Sequence, residues 1–342
     1  MDNKARKYIE DFKRKLEAFP PVGLITSPTP FHKLAKLSAH LGGPQIWVKR
    51  DDATHISSGG NKLRKLDRYL HSAVNNGCDT LVSGGVPQSN SQRQVATAAV
   101  ILGLECHLVV YQNRVEPPSI NYNISGNVVL NKLFKAVMHP TEWEGDRNGP
   151  IEALAETLRA QGRKPCVVPY GVSCGLGALS YASTVAEIAE QALEENIQPA
   201  AIIAASGSGG TQAGLIIGAQ ACLPETEIIG IDVDADPERV RADVIKYMRE
   251  GAALLSMEIP DTKAKVLSGY AGPSYGVPHS ATLEAISLAA SLEAIILDPV
   301  YSGKALAGLI GLIKEGEFTK DDTVIFVHTG GMPAVFAYAD VF

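Results

Sequence analysis

The sequence predicts an α/β fold with mostly parallel sheets, and three observations support this prediction. Short runs rich in β-branched residues, bounded by Gly, Pro or Asn, alternate with longer helical stretches, as in parallel βαβ units. The chain has 342 residues, which at roughly 100–200 residues per domain indicates about two domains. Hydrophobic residues make up 45% and charged residues 20% of the chain, a composition typical of a globular protein.

The elements follow in chain order. Residues 1–19 carry charges throughout and apolar side chains near helical spacing, which predicts an amphipathic helix rather than a signal peptide. The polar, turn-rich residues 140–150 predict an exposed connection. Nine strands are predicted, at Ile46–Lys49, Thr80–Ser83, Cys106–Tyr111, Ala136–His139, Cys166–Pro169, Ala201–Ala205, Ile228–Val233, Ile295–Leu297 and Thr323–His328. Helices are predicted at Lys62–Asn75, Ser91–Leu102, Gly177–Asn196, Gly210–Leu223, Ser280–Leu292 and Gly303–Glu315.

Charge and composition argue against several classes of partner. The net charge of −6 leaves no basic excess for nucleic acid or for an anionic membrane surface. The uncharged run 196–224 is long enough to span a bilayer, but its Gly- and Ser-rich centre would leave backbone groups unsatisfied in lipid. A buried strand, a tight loop and a buried helix are predicted there instead.

The cysteines predict the compartment. Five cysteines are an odd number, and no C-x-x-C spacing occurs, so neither a disulfide framework nor a zinc site is predicted. We therefore expect a cytoplasmic protein without a metal site.

Chemistry is expected in the loops that follow strands, because ligands of doubly wound sheets bind beyond the carboxyl ends of the strands. The first such loop contains Gly59-Gly-Asn-Lys62. Glycines let the backbone approach a ligand, and a helix N-terminus helps to lower the pKa of an ammonium group, which suits a Schiff-base lysine. A lysine that binds phosphate or is merely solvated is the alternative, and the spacing of a Walker A loop is absent.

The second loop, residues 84–93, contains Gln88-Ser-Asn90. Small hydroxyl and amide side chains at a strand-to-helix turn, together with free backbone N–H groups, predict a site for an α-carboxylate. Alternatively, Ser89 or Asn90 only caps the following helix.

The third loop, Ser206-Gly-Ser-Gly-Gly-Thr211, follows an apolar strand and begins a helix. Consecutive unhindered N–H groups and hydroxyls at a helix N-terminus predict a phosphate cradle that needs no cation. Gln212 stands where the last glycine of a dinucleotide motif would be, so NAD is disfavoured. A purely structural turn is the alternative reading.

The fourth and fifth loops follow the last two predicted strands. They are residues 298–304 and residues 328–333, and each places hydroxyl groups and glycine at the end of a strand. Alternatively, the residues of either loop serve only to form a turn.

Taken together, the five loops resemble the pyridoxal-phosphate (PLP) enzymes that comprise 1-aminocyclopropane-1-carboxylate (ACC) deaminase and D-cysteine desulfhydrase. The resemblance covers about residues 20–342. The matching motifs are Lys49-Arg-Asp-Asp52, Gly59-Gly-Asn-Lys62-Leu-Arg-Lys-Leu66, Gln88-Ser-Asn90 with Arg93-Gln94, residues 206–214, residues 271–278, residues 298–304 and His328-Thr-Gly-Gly331.

The resemblance implies a fold and an assembly. It implies PLP fold type II, the fold of the tryptophan synthase β chain, with two three-layer α/β domains and the cofactor in the cleft between them. Residues 52–165 are expected to form the smaller domain, and residues 1–51 plus 166–342 the larger domain that carries the phosphate loop. A homodimer acting on a small amino-acid substrate is expected.

The resemblance also assigns roles to residues. Lys62 resembles the lysine that forms the internal aldimine and then moves the Cα proton. Asn90 resembles the partner of the phenolic oxygen of PLP, and Ser89, flanked by Gln88 and Asn90, the residue that meets the substrate carboxylate. The phosphate loop corresponds to Ser208, Gly209, Gly210 and Thr211, and the two active-site tyrosines to Tyr275 and Tyr301.

Two positions favour one branch of the family. ACC deaminases generally have Glu and Leu where this chain has Ser302 and Thr329, which is the desulfhydrase-like pattern. A neutral Ser opposite the pyridine nitrogen supports a weaker electron sink than a carboxylate, and β-elimination of a good leaving group needs less help. The sequence departs from the family at Pro87 and Ser91.

The predicted function is therefore a PLP-dependent carbon–sulfur lyase that catalyses β-elimination. D-Cysteine, which loses sulfide, is the first substrate expected, and L-cysteate, which loses sulfite, is the alternative. ACC deamination is a further alternative, and a phosphate-ligand sensor without catalysis is an alternative of a different class.

Overall fold

The computed structural model of the protein describes residues 2–342, which form two sheets with helices on both faces. The strands are β1 Phe31–Lys33, β2 Gln45–Arg50, β3 Thr80–Gly85, β4 Glu105–Gln112, β5 Val137–Glu142, β6 Pro165–Val167, β7 Ala201–Ser206, β8 Glu227–Asp232, β9 Lys265–Leu267 and β10 Thr323–His328. The α-helices are α1 Asp2–Leu16, α2 Ala35–Leu41, α3 Asn61–Asn75, α4 Asn90–Leu102, α5 Gly126–Leu133, α6 Gly149–Ala160, α7 Gly175–Glu194, α8 Gly210–Cys222, α9 Pro237–Ala253, α10 Ser280–Glu293, α11 Ser302–Lys314 and α12 Met332–Val335.

The larger sheet has six strands in the order β1-β2-β10-β7-β8-β9. Only β1 and β2 pair antiparallel, and every other neighbouring pair is parallel. Helices α1, α7, α8 and α9 pack on one face, and α2, α10 and α11 pack on the other. Because both faces are covered, the inner strands β2, β10, β7 and β8 are apolar over most of their length, as the sequence pattern indicated.

The smaller sheet has four parallel strands in the order β5-β4-β3-β6. Helices α3 and α4 cover one face, and α6 packs on the other through Ile151, Ala155 and Leu158. The predicted fold class, α/β with two three-layer, mostly parallel units, is confirmed. The division at residues 52 and 165 stays a prediction, although β6 runs across its second boundary.

The structure agrees with most of the predicted elements. Eight of the nine predicted strands are present, and the apolar residues Ile9, Phe12 and Leu16 of the N-terminal helix are buried against α7. The uncharged run 196–224 forms β7, a loop and α8, as predicted. No helix within residues 2–342 is long and apolar enough to cross a membrane.

Three differences have physical reasons. The strand predicted at Ile295–Leu297 is wrong, since these residues lack sheet partners, and the burial of Ile295 and Leu297 in the core accounts for their apolar character. The edge strands β1 and β9 were not predicted, because each has only three residues and includes a lysine, so no apolar run marks it. The connection predicted at residues 140–150 is partly regular, as β5 continues through Glu142 and α6 begins at Gly149.

Candidate active site

A cavity lies at the carboxyl ends of β3, β7 and β10, where loops from both sheets meet. Three predicted site residues, Gln88, Gly210 and Ser302, lie outside its lining. The other predicted residues all line it: Lys62, Ser89, Asn90, Ser208, Gly209, Thr211, Tyr275, Tyr301 and Thr329.

Lys62 follows a loop of unusual backbone geometry. Ser57, Ser58, Gly59 and Gly60 all have positive φ, between 44° and 126°. A Cβ at Gly59 would overlap the Asp52 carbonyl oxygen, so the loop can pass only with glycine there. The loop thereby presents the first turn of α3 to the cavity.

The amine of Lys62 is prepared for proton transfer. Its Nζ lies 3.1 Å from Asn61 Oδ1, to which it donates. Burial lowers the pKa of Lys62 to about 8, and the positive charge of Arg93 acts in the same direction against the carboxylate of Asp298. A substantial fraction of the amine is therefore neutral near physiological pH, as a nucleophile or base requires.

Ser89 and Asn90 line the same cavity as Lys62. Ser89 caps a helix and can also bind a ligand, so the two interpretations of this residue are compatible. Its Oγ accepts a hydrogen bond from Gln92 N at 3.2 Å as the N-cap of α4, which leaves its own proton for a ligand. Asn90 Oδ1 accepts from Asn127 Nδ2 at 2.8 Å, so the amide nitrogen of Asn90 is the group left to donate.

Gln88 lies outside the cavity lining and hydrogen-bonds to the residues around it. Its Oε1 accepts from Asn127 N at 3.0 Å, and its Nε2 donates to the carbonyl oxygens of Tyr122 and Ser125. All of these contacts are structural, so a direct contact of Gln88 with substrate stays an untested prediction. Ser91 lines the cavity, and its buried Oγ has no partner within the described residues.

The third loop ends at the N-terminus of α8. Gly209 has φ +76°, and a Cβ at this position would press on the backbone of α9. Thr211 Oγ1 accepts from Asn61 Nδ2 at 2.8 Å, which links this loop to the helix of Lys62. The buried Oγ of Ser206, also in the cavity wall, has no partner among residues 2–342.

Lys65, which the sequence analysis did not single out, lies behind this loop. The residue is fully buried, and its Nζ donates to Gly171 O at 2.6 Å and to Ser173 Oγ at 3.1 Å, both neutral acceptors. A Cβ at Gly210 would lie 2.6 Å from this Nζ. Burial lowers the pKa of Lys65 well below the usual value, and the charge of Lys62 adds to this effect.

This geometry fits a phosphate group. A buried amine that has only neutral acceptors and the orphaned hydroxyl of Ser206 lie together near the N-terminus of α8, where an anion would find donors. The expectation of a cradle without a cation stays a prediction, and the buried amine of Lys65 behind the loop is an addition to it. Its signal was hidden, since nothing in the sequence distinguishes a buried lysine from a solvated one on α3.

Tyr275 and Tyr301 share a hydrogen bond between their hydroxyl groups, with ring centroids 6.0 Å apart at 68°. Burial raises the pKa of both hydroxyls well above the usual value, so both are protonated at physiological pH. The guanidinium of Arg114 lies 4.4 Å from the centroid of Tyr275, where it stabilises the face of the ring.

Ser302 is fully buried, and its hydroxyl is already engaged. Its Oγ donates to Asp298 Oδ2 at 2.7 Å and accepts from Asp298 N at 2.8 Å. Its proton is thus not available to a ring nitrogen, and the predicted role of Ser302 toward the cofactor remains untested. Thr329 does line the cavity, and its carbonyl oxygen accepts from Asn61 N at 3.1 Å.

Charged residues near the rim were not anticipated. Asp234 accepts hydrogen bonds from Arg114, Arg147 and Arg239. Arg147 and Asp234 both line the cavity, and the former belongs to the segment that was predicted to be an exposed connection. This cluster joins loops of the smaller sheet to the loop after β8 of the larger sheet.

Comparisons with known proteins agree with this site. The family model described as "Pyridoxal-phosphate dependent enzyme" matches residues 22–330. The chain therefore belongs to the pyridoxal-phosphate-dependent enzymes, and the residues described above fit the cofactor of that family. Where bound, its phosphate would be held by the loop at the start of α8 and by Lys65.

Particular relatives are close over the whole chain. A D-cysteine desulfhydrase of Yersinia pestis is 42% identical over 326 residues, which cover 95% of this chain and 98% of the relative. A D-cysteine desulfhydrase of Serratia proteamaculans is 42% identical over 330 residues, covering 96% and 98%. The crystal structure of an ACC deaminase homologue has a TM-score of 0.87 at 32% identity and covers 96% of this chain and 97% of its own.

Proposed function

We propose that the protein is a β-eliminating lyase that converts D-cysteine and water to pyruvate, ammonia and hydrogen sulfide. The observation that carries this proposal is the cavity itself, in which the buried amine of Lys62 shares the walls with the hydroxyl groups of Tyr275 and Tyr301. The names and full-length similarity of the desulfhydrase relatives support the choice of substrate.

The cofactor supplies an electron sink that stabilises negative charge on the substrate Cα. Lys62 is the base for the Cα proton, because its amine is buried and its pKa is lowered to about 8. The free hydroxyl proton of Ser89 and the amide nitrogen of Asn90 donate to the carboxylate of the substrate and to the phenolic oxygen of the cofactor, respectively. Both assignments are supported by the remaining hydrogen-bonding capacity of these groups.

The tyrosine pair handles the leaving group. The hydroxyl groups of Tyr275 and Tyr301 are protonated, buried and joined to each other, so they can stabilise the departing hydrosulfide by donating a hydrogen bond to it. At the positions expected to face the ring nitrogen of the cofactor, the chain has Ser302 and Thr329, which carry no charge of their own, although the Ser302 hydroxyl donates to Asp298 Oδ2. The absence of a carboxylate side chain at these two positions supports β-elimination over deamination of ACC.

The phosphate end is separate from the chemistry. Ser208, Gly209, Gly210 and Thr211 would bind the phosphate with hydroxyl and backbone N–H groups, and Lys65 would neutralise part of its charge. This loop anchors the cofactor and leaves Lys62 free to move a proton.

A substrate panel tests the proposal. The purified protein is expected to release pyruvate and sulfide in equal amounts from D-cysteine, and Lys62→Ala, the matched control, should release neither. Sulfite from L-cysteate would redirect the assignment to the alternative leaving group. Release of 2-oxobutanoate from ACC as fast as pyruvate is released from any β-substituted alanine would overturn the proposal. A colourless protein that is unaffected by added PLP would exclude PLP catalysis and favour a phosphate-ligand sensor.

The domain division and compartment belong to the same proposal. Residues 52–165 would form a smaller domain, residues 1–51 and 166–342 a larger one, with the cofactor between them. A cytoplasmic location is supported by five free cysteines. Limited proteolysis of the holoenzyme, with fragments cut near residues 52 and 165, would test the division.

A homodimer is supported by exposed apolar side chains around α5. Ile120 and Ile124 precede this helix, Val129 and Leu133 lie on it, and Val100 lies near the end of the neighbouring α4. Such a patch is unusual on a monomer. Leu133→Glu should therefore shift the mass measured by light scattering from dimer to monomer, whereas Leu254→Glu, at an exposed leucine elsewhere, should not. A wild-type monomer would refute the dimer.

A further inference from the structure

Arg93 is a buried guanidinium with only neutral acceptors. It is fully buried on α4, and its Nε donates to Asn127 Oδ1 at 2.9 Å, its Nη2 to Gly59 O at 2.9 Å and its Nη1 to Ser57 O. No carboxylate of residues 2–342 pairs with it, in contrast to the buried Arg64, which is neutralised by Asp51 and Glu187. Burial of an unpaired charge is costly, which points to a role other than stability.

The first group that Arg93 holds is the loop before Lys62. The carbonyl oxygens of Ser57 and Gly59 belong to the four consecutive residues with positive φ. Ser57 carries a side chain at φ +44°, a conformation that is strained without external support. Two hydrogen bonds from one rigid guanidinium supply this support and fix where α3 begins, and therefore where Lys62 enters the cavity.

The second group is Asn90, held through Asn127. Because Arg93 Nε donates to Asn127 Oδ1, the amide nitrogen of Asn127 must point the other way, toward Gln88 O at 2.9 Å and Asn90 Oδ1 at 2.8 Å. Asn90 Oδ1 is thereby occupied, and its amide nitrogen faces the cavity as a donor. One guanidinium thus sets the orientation of two amides in series.

The third effect of Arg93 is its charge. Burial lowers the pKa of Arg93 only to about 10, so the group stays charged near Lys62 at physiological pH. Around Lys62, the positive charge of Arg93 is opposed by the carboxylate of Asp298. In the cavity wall, Arg147 and Asp234 pair with each other, and the tyrosines are neutral.

We propose that Arg93 is a positioning residue that fixes Lys62 and Asn90 in one geometry and that places an unpaired positive charge near the Lys62 amine. The proposal rests on the roles given above to Lys62 and Asn90. The proposal has a charge effect and a geometric effect, and two variants separate them. Arg93→Lys would keep the positive charge but not the three fixed donors, and Arg93→Gln would lose the charge and part of the donors.

The charge effect is measured on the full-length chain after removal of the cofactor, without reference to activity. The pH midpoint for acetylation of Lys62 is followed by mass spectrometry of its peptide. We expect a midpoint near 8 for the wild type and a shift of the midpoint to higher pH for Arg93→Gln, because this variant lacks the positive charge near the Lys62 amine. Arg93→Lys should keep the wild-type midpoint. Arg68→Met is the matched control, because Arg68 also donates to backbone carbonyl oxygens, of Leu16 and Phe19, at a distance from the cavity.

The geometric effect is measured on the holoenzyme. Both Arg93 variants should lose turnover by at least about 100-fold, and Arg93→Ala should regain activity with millimolar guanidinium but not with ammonium. An unchanged midpoint in Arg93→Gln, a raised midpoint in Arg93→Lys, or rescue by ammonium would each overturn the proposal. A wild type with the expected midpoints but no release of sulfide would instead refute the proposed function alone.

Discussion

Replacement of Lys65 by methionine should weaken cofactor binding and abolish a proton uptake that accompanies it. The Nζ of Lys65 donates to Gly171 O and Ser173 Oγ and lies beside Gly210. In the ammonium form it has a third N–H bond, which is available for a phosphate oxygen. Hydrogen bonds to charged groups contribute about 1.5–3 kcal/mol, which corresponds to a loss of affinity of about 10- to 100-fold.

The pH dependence has a definite sign. Burial lowers the pKa of Lys65 well below its usual value, so the amine of the free protein loses its proton at a lower pH than an ordinary lysine. A bound phosphate raises that pKa again, since an opposite charge favours the ammonium form. Between the two pKa values binding therefore takes up a proton, and affinity falls as the pH rises through this interval.

Pyridoxine 5′-phosphate is the suitable probe, because it has the ring and the phosphate but no aldehyde to react with Lys62. Calorimetry in two buffers of different ionisation enthalpy reports both its affinity and the number of protons taken up. Lys304→Met is the matched control, since Lys304 is also a buried lysine that donates to a backbone carbonyl oxygen but lies outside the cavity lining. An affinity of Lys65→Met within twofold of the wild type, with proton uptake retained, would refute the reasoning.

Three further predictions concern the residues around the cavity. Borohydride should fix the cofactor to Lys62, and Lys62→Ala should retain the cofactor through the phosphate loop yet lose turnover by at least about 10³-fold; a label on Lys65 would contradict this assignment. Ser302→Glu should lower the thermal midpoint far more than Ser302→Ala, because the Ser302 hydroxyl lies 2.7 Å from Asp298 Oδ2 and a second carboxylate there costs about 3 kcal/mol or more. A difference of less than about 2 °C between the thermal midpoints of the two variants would count against this prediction. Gly59→Ala should impair the Lys62 loop, because its Cβ would overlap Asp52 O, whereas Gly77→Ala, also at positive φ but with nothing within 4 Å, should cost only about 1 kcal/mol in chemical denaturation; equal effects would exclude the overlap as the cause.

Much of the fold follows from local pattern. Buried parallel strands are recognisable as apolar runs, and the glycine-rich loops after Thr80–Gly85 and Ala201–Ser206 mark where the chain turns into a helix. The pattern does not reveal whether an apolar run pairs with a neighbour, as the wrong strand at Ile295–Leu297 demonstrates. Sheet pairing depends on residues far away in the sequence, which a local window cannot contain.

The sequence allowed roles to be assigned to residues whose side chains line the cavity. It allowed none to be assigned to the buried residues Lys65 and Arg93 that support them. Lys62 is distinguished by the glycines before it, but Lys65 and Arg93 look like ordinary surface residues on amphipathic helices. Their function depends on complete burial and on the neutrality of their partners, and both properties arise only from tertiary packing. The orientation of the Asn127 amide likewise depends on a guanidinium 34 positions earlier in the chain.

The position of β10 between β2 and β7 has a consequence for synthesis of the protein. Residues 323–328 pair with residues 45–50 on one side and with residues 201–203 on the other, so the middle of the six-stranded sheet closes only when the last strand has left the ribosome. The four-stranded sheet, by contrast, is complete by Val167 and can form early. A nascent chain would therefore carry the finished smaller sheet while the middle of the larger sheet is still open.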